Sequence, residues 1–307
     1  MTILITGADG YIGRALVARL LQTRTDRLVL LDRQFANLQP HPRVQRLPGD
    51  FAAADTLRQA MEQPIDLVFH LASIPGGLAE RDFDLGLRVN LEGTIELLEA
   101  VRRQGSAPRF VFASTIGVFG VPMPACVDEN SVPEPTLSYG AQKLLGEILV
   151  KDYSRRGFID GVALRLPGVV ARPPEPSGLL SAFLSNLLRE LAAGRTFTCP
   201  VGADGRTWLM SRSCAVDNLL HAASLSSAQL SAQRVWLLPL LQASIGEVVD
   251  AIARVHGERV PGLVRYEPNA ALQAQFANFP PLSCPRSVAA GFTNDGSLAA
   301  LVQRALE

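Results

Sequence analysis

The chain has 307 residues, 48% of them hydrophobic, which is enough for one large domain or for a domain with an elaborated second lobe. Basic and acidic residues number 29 each, so there is no charge excess of the kind that favours general binding to nucleic acid or membranes. The four cysteines show no metal-ligand spacing, and no apolar run reaches the roughly 18 residues of a membrane span. We therefore expect a cytoplasmic protein without a metal site and without a nucleic-acid or membrane partner.

The first elements of the chain have the order that is typical of dinucleotide binding. Met1–Thr6 is predicted to be a short strand, and the turn TGADGYIG follows with Gly7, Gly10 and Gly13. Glycines let the backbone turn sharply and approach a pyrophosphate, and the helix N-terminus after them presents free N–H groups to the phosphates. The helix is predicted from an apolar pattern through Ala15, Leu16, Leu20 and Leu21.

The second predicted strand, Leu28–Leu31, ends on Asp32. A carboxylate at this point can accept hydrogen bonds from the adenosine ribose, and it would repel the 2′-phosphate of NADP. The next residue, Arg33, could accept such a phosphate. The sequence therefore favours NAD over NADP, with NADP left open.

Strands and helices continue to alternate over the first two-thirds of the chain. The further strands are predicted at Arg43–Leu47, Ile65–Leu71, Arg109–Ala113 and Gly161–Leu166, and the further helices at Thr56–Met61, Leu85–Gln104 and Ser138–Arg156. This alternation predicts an α/β fold of the Rossmann type, with a doubly wound parallel sheet.

The pattern becomes less regular after Pro167. A proline-rich loop at Arg172–Pro176 is followed by a predicted helix at Leu179–Ala193. We expect a nucleotide-binding domain at residues 1–167 and a smaller C-terminal substrate lobe at residues 168–307. Segments around 213–238 are expected to return to the first domain, because Val235–Leu238 has the apolar character of a core strand.

Tyr139 and Lys143 lie four residues apart in SYGAQK, which places both on one face of a helix. A nearby ammonium lowers the pKa of a phenol and allows it to exchange a proton near neutral pH. Ser114 and Thr115 directly follow the RFVFA strand, at the sheet edge where parallel strands present their ligand-binding side chains. A hydroxyl there can hold a substrate oxygen against Tyr139.

On these residues the chain resembles the extended short-chain dehydrogenases/reductases, in the branch of the NAD-dependent epimerases and dehydratases. The resemblance covers residues 1 to about 225, and it rests on TGADGYIG, Asp32, Gly49-Asp50-Phe51, His70-Leu71-Ala72-Ser73, Val89-Asn90 with Gly93-Thr94, Ser114-Thr115 through Val118-Phe119-Gly120, and the Tyr139/Lys143 spacing. In this family two long helices pair with those of a second subunit, so the resemblance implies a homodimer.

The resemblance also implies roles for individual residues. Thr115 would be the catalytic hydroxyl, with Ser114 as the alternative, Tyr139 the acid/base, and Lys143 the group that binds the nicotinamide ribose. The residues implied in NAD binding are Gly7, Gly10, Tyr11, Ile12, Gly13, Asp32, Asp50, Phe51, Leu71, Ala72, Ser73, Asn90, Tyr139, Lys143 and Pro167.

A narrower resemblance, to the D-erythronate dehydrogenase subgroup, is carried by DYSRRGFIDGVALRLPGVVARP, by LSAFLSNLLREL and by Trp208–Arg212. It implies NAD-dependent oxidation of a secondary alcohol in a small sugar acid. The alternatives are a nucleotide-sugar 4-epimerase with tightly bound NAD, a dehydratase, and a noncatalytic NAD-sensing protein. The short second lobe disfavours an epimerase, Ile116-Gly117 after Thr115 disfavours a dehydratase, and the complete catalytic set disfavours a sensor.

A sugar acid needs a cation for its carboxylate, and arginine provides a bidentate one. Arg212 is the first candidate and Arg172 the second, and Ser73, Thr115 and Tyr139 are expected to contact the rest of the substrate. Arg165 alternates with apolar residues in its strand and is interpreted as structural, and His70 as a satisfied core histidine.

Overall fold

The computed structural model describes residues 1–174 and 181–307. The strands, in chain order, are β1 (Thr2–Thr6), β2 (Arg27–Asp32), β3 (Val44–Pro48), β4 (Leu67–His70), β5 (Arg109–Thr115), β6 (Val127–Asp128), β7 (Asp160–Leu166), β8 (Gly168–Val170), β9 (Phe197–Cys199), β10 (Arg206–Ser211), β11 (Val235–Leu237), β12 (Leu241–Ser244), β13 (Val264–Tyr266) and β14 (Leu282–Ser283).

The α-helices are α1 (Tyr11–Thr23), α2 (Ala54–Ala60), α3 (Gly76–Arg81), α4 (Phe83–Gly86), α5 (Gly93–Gln104), α6 (Ser138–Arg155), α7 (Ala182–Ala192), α8 (Arg212–Ser224), α9 (Ser227–Ala232), α10 (Ile245–His256), α11 (Ala270–Phe276), α12 (Pro285–Ala289) and α13 (Leu298–Leu306). A π-helical turn, Leu87–Glu92, lies between α4 and α5.

The chain divides into two compact units, the first of which comprises Met1–Val118, Pro135–Arg165 and Val216–Trp236. Its central sheet has seven strands in the order β11-β7-β5-β4-β1-β2-β3, and the pairs from β3 to β5 are parallel. The predicted Rossmann-type α/β fold is confirmed.

The register of this sheet brings the carboxyl ends of three strands side by side. Thr6 at the end of β1 pairs with Leu31 of β2 on one side and with His70 of β4 on the other. The continuous apolar runs of these strands are buried on both faces, as parallel strands between helix layers require. The turns after β1, β2 and β4 therefore form one edge, where a ligand of this fold binds.

The second unit comprises Phe119–Glu134, Leu166–Ala215 and Leu237–Glu307. Strand β10 pairs antiparallel with β12 and parallel with β8, and β13–β9 and β14–β6 form two further pairs. Its hydrophobic core joins α7, α10 and α13, on which Leu187, Ile252 and Leu301 are fully buried.

The first unit differs from the expected domain at Leu166–Pro167 and at one longer segment. Phe119–Glu134, which the sequence placed within residues 1–167, groups with the second unit. Val127 of β6 pairs with Leu282, and the Glu129 carboxylate accepts hydrogen bonds from the backbone and hydroxyl of Ser287 (2.8 and 3.1 Å). These partners are distant in sequence, so no local pattern marks them.

The helix predicted at Leu85–Gln104 is divided into α4, the π-helical turn and α5. Asn90 lies in the π-helical turn, and its side chain accepts the N–H of Ile74 (2.7 Å) and donates to the Ile74 carbonyl (3.1 Å). π-Helical turns of this kind often mark functional sites. Of the helix predicted at Leu179–Ala193, residues 179 and 180 lie outside the described residues, as do the last two of the Arg172–Pro176 loop.

None of the helices in residues 1–174 and 181–307 is long and apolar enough to cross a membrane. Those two ranges also contain no group of three or more His, Cys, Asp or Glu side chains that could hold a metal ion. The cysteines are free thiols, and all except Cys126 are buried.

Candidate active site

The turn after β1 is shaped by close contacts that only glycine allows. Gly7 has a φ of +67°, in the left-handed region, and a Cβ there would lie 2.8 Å from the backbone nitrogen of Ala72. A Cβ on Gly13 would lie 2.2 Å from the carbonyl oxygen of Gly7. The first turn of α1 therefore closes directly onto the strand end. Its N-cap, Gly10, has no side-chain cap, as suits a helix N-terminus that would face a phosphate.

Asp32 ends β2 beside this turn. Its carboxylate accepts the backbone N–H groups of Asp9 (2.8 Å) and Arg33 (2.7 Å). Burial raises the pKa of Asp32 above its ordinary value, despite these two hydrogen bonds. The carboxylate thus lies where the ribose of a bound dinucleotide is expected.

The two residues expected at the adenine have different environments. Asp50 accepts the N–H of Ala52 (2.9 Å) and pairs with Arg88 (2.9 Å); burial opposes ionisation, but the hydrogen bonds and the charge of Arg88 keep the pKa of Asp50 below its ordinary value. The Phe51 ring is buried against α5, where a Cβ on Gly93 would lie 2.7 Å from it. A contact of Phe51 with adenine would therefore come from its backbone.

The loop after β4, with Leu71, Ala72 and Ser73, is held by buried polar groups. The Ala72 N–H donates to Thr6 Oγ1 (3.2 Å), which also lies 2.6 Å from His70 Nδ1. His70 Nε2 lies 2.9 Å from the Thr94 hydroxyl, and burial keeps the pKa of His70 well below its ordinary value. His70 is therefore a neutral, fully hydrogen-bonded core residue, as interpreted from the sequence.

Asn90 connects this loop to α6. Besides its two bonds to Ile74, its Nδ2 donates to Gln142 Oε1 (2.8 Å), and Gln142 precedes Lys143 on α6. Both amide side chains are buried. Asn90 thus links the loop by hydrogen bonds to the helix that carries Tyr139. Its partner Gln142 was not predicted from the sequence.

Helix α6 approaches the end of β5 closely enough to bring Tyr139 near Thr115. A Cβ on Gly140 would lie 2.2 Å from the carbonyl oxygen of Gly117, so this approach requires glycine. A Cβ on Gly117 would lie 3.3 Å from Thr115 Oγ1 and 3.9 Å from the Tyr139 ring. Gly76 adjoins Tyr139 from α3, where a Cβ would lie 3.6 Å from that of Tyr139.

The hydrogen bonding of the Thr115 hydroxyl defines which group it can donate to. Its Oγ1 accepts the N–H of Gly117 (3.0 Å), so its own proton is available to a different acceptor. A substrate oxygen placed between Thr115 and Tyr139 would be that acceptor.

Lys143 lies one turn after Tyr139 and is almost completely buried. Its Nζ is 4.7 Å from the centre of the Phe112 ring and 6.0 Å from that of Tyr139, within the range of cation–π attraction. Burial lowers the pKa of Lys143 to about 7. Because the buried ammonium group has little contact with water, hydrogen bonds to the hydroxyl groups of a bound ribose would stabilise it.

Ser114, the alternative catalytic hydroxyl, is engaged elsewhere. Its Oγ donates to Glu147 Oε1 (2.5 Å), and Glu147 forms a bidentate pair with Arg165 (2.9 and 2.7 Å). All three side chains are buried, and they join β5, α6 and β7. This contact argues against Ser114 as the catalytic hydroxyl, and Thr115 stays the predicted one. Glu147 was missed in the sequence, although its place four residues after Lys143 on the helix is a usable signal.

Three predicted residues, Pro167, Arg172 and Arg212, lie in the second unit. Ser73 and the turn residues Tyr11 and Ile12 belong to the first unit. Arg212 begins α8, directly after Ser211, whose N–H and hydroxyl bind Asp295 (2.8 and 2.5 Å). Arg172 follows β8, and its carbonyl accepts Arg189 Nε (2.9 Å). Pro167 is buried between β7 and β8. Roles of these residues in substrate or cofactor binding stay predictions.

Comparison with known proteins identifies one family and several similar proteins. Residues 3–224 match the family described as "NAD dependent epimerase/dehydratase family". The chain is 37% identical to D-erythronate dehydrogenase from Cupriavidus necator (100% of this chain, 98% of the relative) and 31% identical to D-erythronate dehydrogenase from Haemophilus influenzae (100% and 99%). The crystal structure of the nucleoside-diphosphate-sugar epimerase from Agrobacterium tumefaciens superposes with a TM-score of 0.91 at 36% identity, covering 99% of this chain and 92% of that one.

Proposed function

The chain belongs to the NAD-dependent epimerase/dehydratase family, and we propose that it oxidises a secondary alcohol of a small sugar acid, D-erythronate or a close analogue, with NAD as the hydride acceptor. That it is an enzyme, and an NAD(H)-dependent dehydrogenase, follows from its full-length dehydrogenase relatives. The observation that carries the mechanism is the grouping of Thr115, Tyr139 and Lys143 at the end of β5.

The residues around the first turn suit a dinucleotide. The space beside Gly7 and Gly13, which a side chain would fill, lets the backbone approach a pyrophosphate. The Asp32 carboxylate can accept hydrogen bonds from a ribose. When bound, NAD supplies the acceptor for the hydride that leaves the substrate carbon.

In the proposed reaction the substrate alcohol binds between Thr115 and Tyr139. The Thr115 hydroxyl donates a hydrogen bond to the alcohol oxygen and orients it, while Thr115 Oγ1 accepts the N–H of Gly117. Tyr139 removes the proton of the alcohol as its carbon is oxidised to a carbonyl. Lys143, in its protonated form, stabilises the phenolate and binds the nicotinamide ribose.

We infer NAD rather than NADP as the working cofactor. The Asp32 carboxylate accepts two backbone N–H groups, and an added 2′-phosphate would meet its negative charge. The Arg33 side chain, the one sequence feature in favour of NADP, is exposed.

Arg212 and Arg172 remain the proposed ligands of the substrate carboxylate. Ser211 anchors the start of α8 through Asp295, and Asp295 also binds Arg304 (3.2 Å), so the backbone at Arg212 is firmly held. A fixed backbone suits an arginine that must present its guanidinium in one orientation.

A second candidate is the nucleotide-sugar 4-epimerase. It is favoured by one observation, the likeness to the Agrobacterium tumefaciens structure, which bears an epimerase name. The same Thr115, Tyr139 and Lys143 would serve an epimerase, since it also begins by oxidising a substrate alcohol.

We also propose a homodimer. Leu145 and Ile148 on α6 are 45% and 53% exposed although both are large and apolar. They form part of the helix face that pairs with a second subunit in the family resemblance.

The two functions are separated by incubating purified protein with NAD and a panel of four- to six-carbon sugar acids, with nucleotide-diphosphate sugars in parallel. NADH that accumulates in proportion to a free acid supports the dehydrogenase. Conversion of a nucleotide sugar without net NADH, together with inactivity towards every acid, would replace it with the epimerase. NADP in place of NAD tests the cofactor in the same assay.

A further inference from the structure

Asp9, in the glycine turn, makes an unusual set of contacts for a carboxylate. Its side chain accepts the backbone N–H groups of Ala36 (3.0 Å), Asn37 (3.2 and 3.3 Å) and Leu38 (2.9 Å), and also the side-chain amide of Asn37 (3.1 Å). These donors are neutral, and Asp9 is 8% exposed. A buried carboxylate thus holds the loop that follows β2, and it does so without a cation among these partners.

This loop borders the expected position of the adenosine ribose. It begins directly after Asp32, and the backbone N–H of Asp9 donates to the Asp32 carboxylate. Asp9 therefore adjoins the Asp32 carboxylate, and the charge of Asp9 is among the causes that raise the pKa of Asp32. A phosphate on a ribose bound to Asp32 would face both charges.

Apart from the exposed side chain of Arg33, the nearby groups that could compensate such a phosphate are already engaged. The backbone donors of residues 36–38 bind Asp9 instead of an anion. The Arg46 guanidinium donates to the Leu38 carbonyl (3.0 Å) and lies 5.8 Å from the centre of the Phe35 ring. The loop is thereby fixed in a form that offers a phosphate few free donors.

We propose that Asp9 is a specificity-determining residue for the cofactor, which acts with Asp32 to reject the 2′-phosphate of NADP. Asp9 does this by adding a second negative charge and by occupying the N–H donors of the loop that would otherwise receive the phosphate. This inference rests on the proposed preference for NAD. It assigns part of that preference to Asp9 in the glycine turn, in addition to Asp32 at the end of β2.

The test is the ratio of dissociation constants for NADP and NAD, measured by calorimetry on cofactor-free protein. Asp9→Asn keeps an oxygen that can accept loop N–H groups and removes the charge. Asp152→Asn, which removes an exposed charge in the Asp152–Arg155 pair at the far end of α6, is the matched control. We expect Asp9→Asn to lower the NADP/NAD ratio by about tenfold or more, the effect of one charge interaction near a protein surface, and the control to leave it unchanged.

The outcomes separate the inference from its premise. Wild-type protein that binds NADP as tightly as NAD would contradict the proposed cofactor preference and the inference with it. A wild-type preference for NAD that persists unchanged in Asp9→Asn, with both cofactors weakened equally, would make Asp9 a purely structural residue and overturn the inference alone. If Asp9→Asn does not fold, as judged by circular dichroism, Asp9→Ser provides the same comparison with a smaller hydrogen-bond acceptor.

Discussion

Lys143 is buried beneath the proposed active site, and this burial has a measurable cost. The chain contains two lysines, Lys143 and the exposed Lys151, both on α6. Burial lowers the pKa of Lys143 from its ordinary 10.5 to about 7. At a pH between these values the unfolded chain binds a proton at this position that the folded chain does not, so the free energy of unfolding rises with pH across this window and is lowest below about pH 7.

The magnitude follows from the size of the shift. Each pKa unit corresponds to about 1.4 kcal/mol, so a shift of this size costs at most about 5 kcal/mol when the lysine is protonated in both states. Between pH 7 and pH 9 the cost should fall by about 2 kcal/mol. Lys143→Met removes the titrating group and keeps an unbranched side chain of similar length.

The assay is urea unfolding of cofactor-free wild-type protein, Lys143→Met and the control Lys151→Met at pH 7 and pH 9. Lys143→Met should be more stable than wild type at pH 7, by a margin that shrinks by about 2 kcal/mol at pH 9, while Lys151→Met should show no such change. A margin that is the same at both pH values would refute the reasoning. NMR of lysine-labelled protein checks it directly, because one of its two lysine signals should titrate near pH 7.

Three further predictions concern single contacts. Gly13→Ala would place a Cβ 2.2 Å from the Gly7 carbonyl oxygen and should abolish NAD binding, as measured by calorimetry; unchanged affinity would contradict the geometry. Glu147→Gln would leave the buried Arg165 charge unbalanced and should lower the free energy of unfolding by about 3 kcal/mol, whereas a change below about 0.5 kcal/mol in urea unfolding would argue against it. Thr115→Val should lose most turnover and Thr115→Ser retain it; equal rates in the two variants would remove Thr115 from the mechanism.

The elements that depend on local patterns were predictable from the sequence. β1, the glycine turn and α1 could be predicted because glycine spacing, apolar periodicity and strand length all act within about thirty residues. The interpretation of His70 as a core residue succeeded for the same reason, since a histidine within an apolar strand is buried whichever strands adjoin it.

Features that depend on distant partners were not predictable. The π-helical turn at Leu87–Glu92 interrupts a continuous helical pattern, and Asn90 within it binds the loop at Ile74. The spacing of apolar residues along the helix does not indicate that hydrogen bond. β6 pairs with β14, far along the chain, so no local pattern shows that Phe119–Glu134 groups with the second unit. The sequence ranked Thr115 above Ser114 by resemblance alone, and the buried Glu147 supplies the physical difference between the two hydroxyls.

The central claim is that Tyr139 transfers the substrate proton in an NAD-dependent oxidation. The most direct measurement compares turnover of Tyr139→Phe with that of wild type on the sugar acid that the panel identifies, together with the dissociation constant of NAD for each. We predict a loss of turnover of about a hundredfold or more with nearly unchanged NAD affinity, because only the phenol oxygen is removed. Turnover close to that of wild type, with NAD bound equally well, would contradict the assignment of Tyr139.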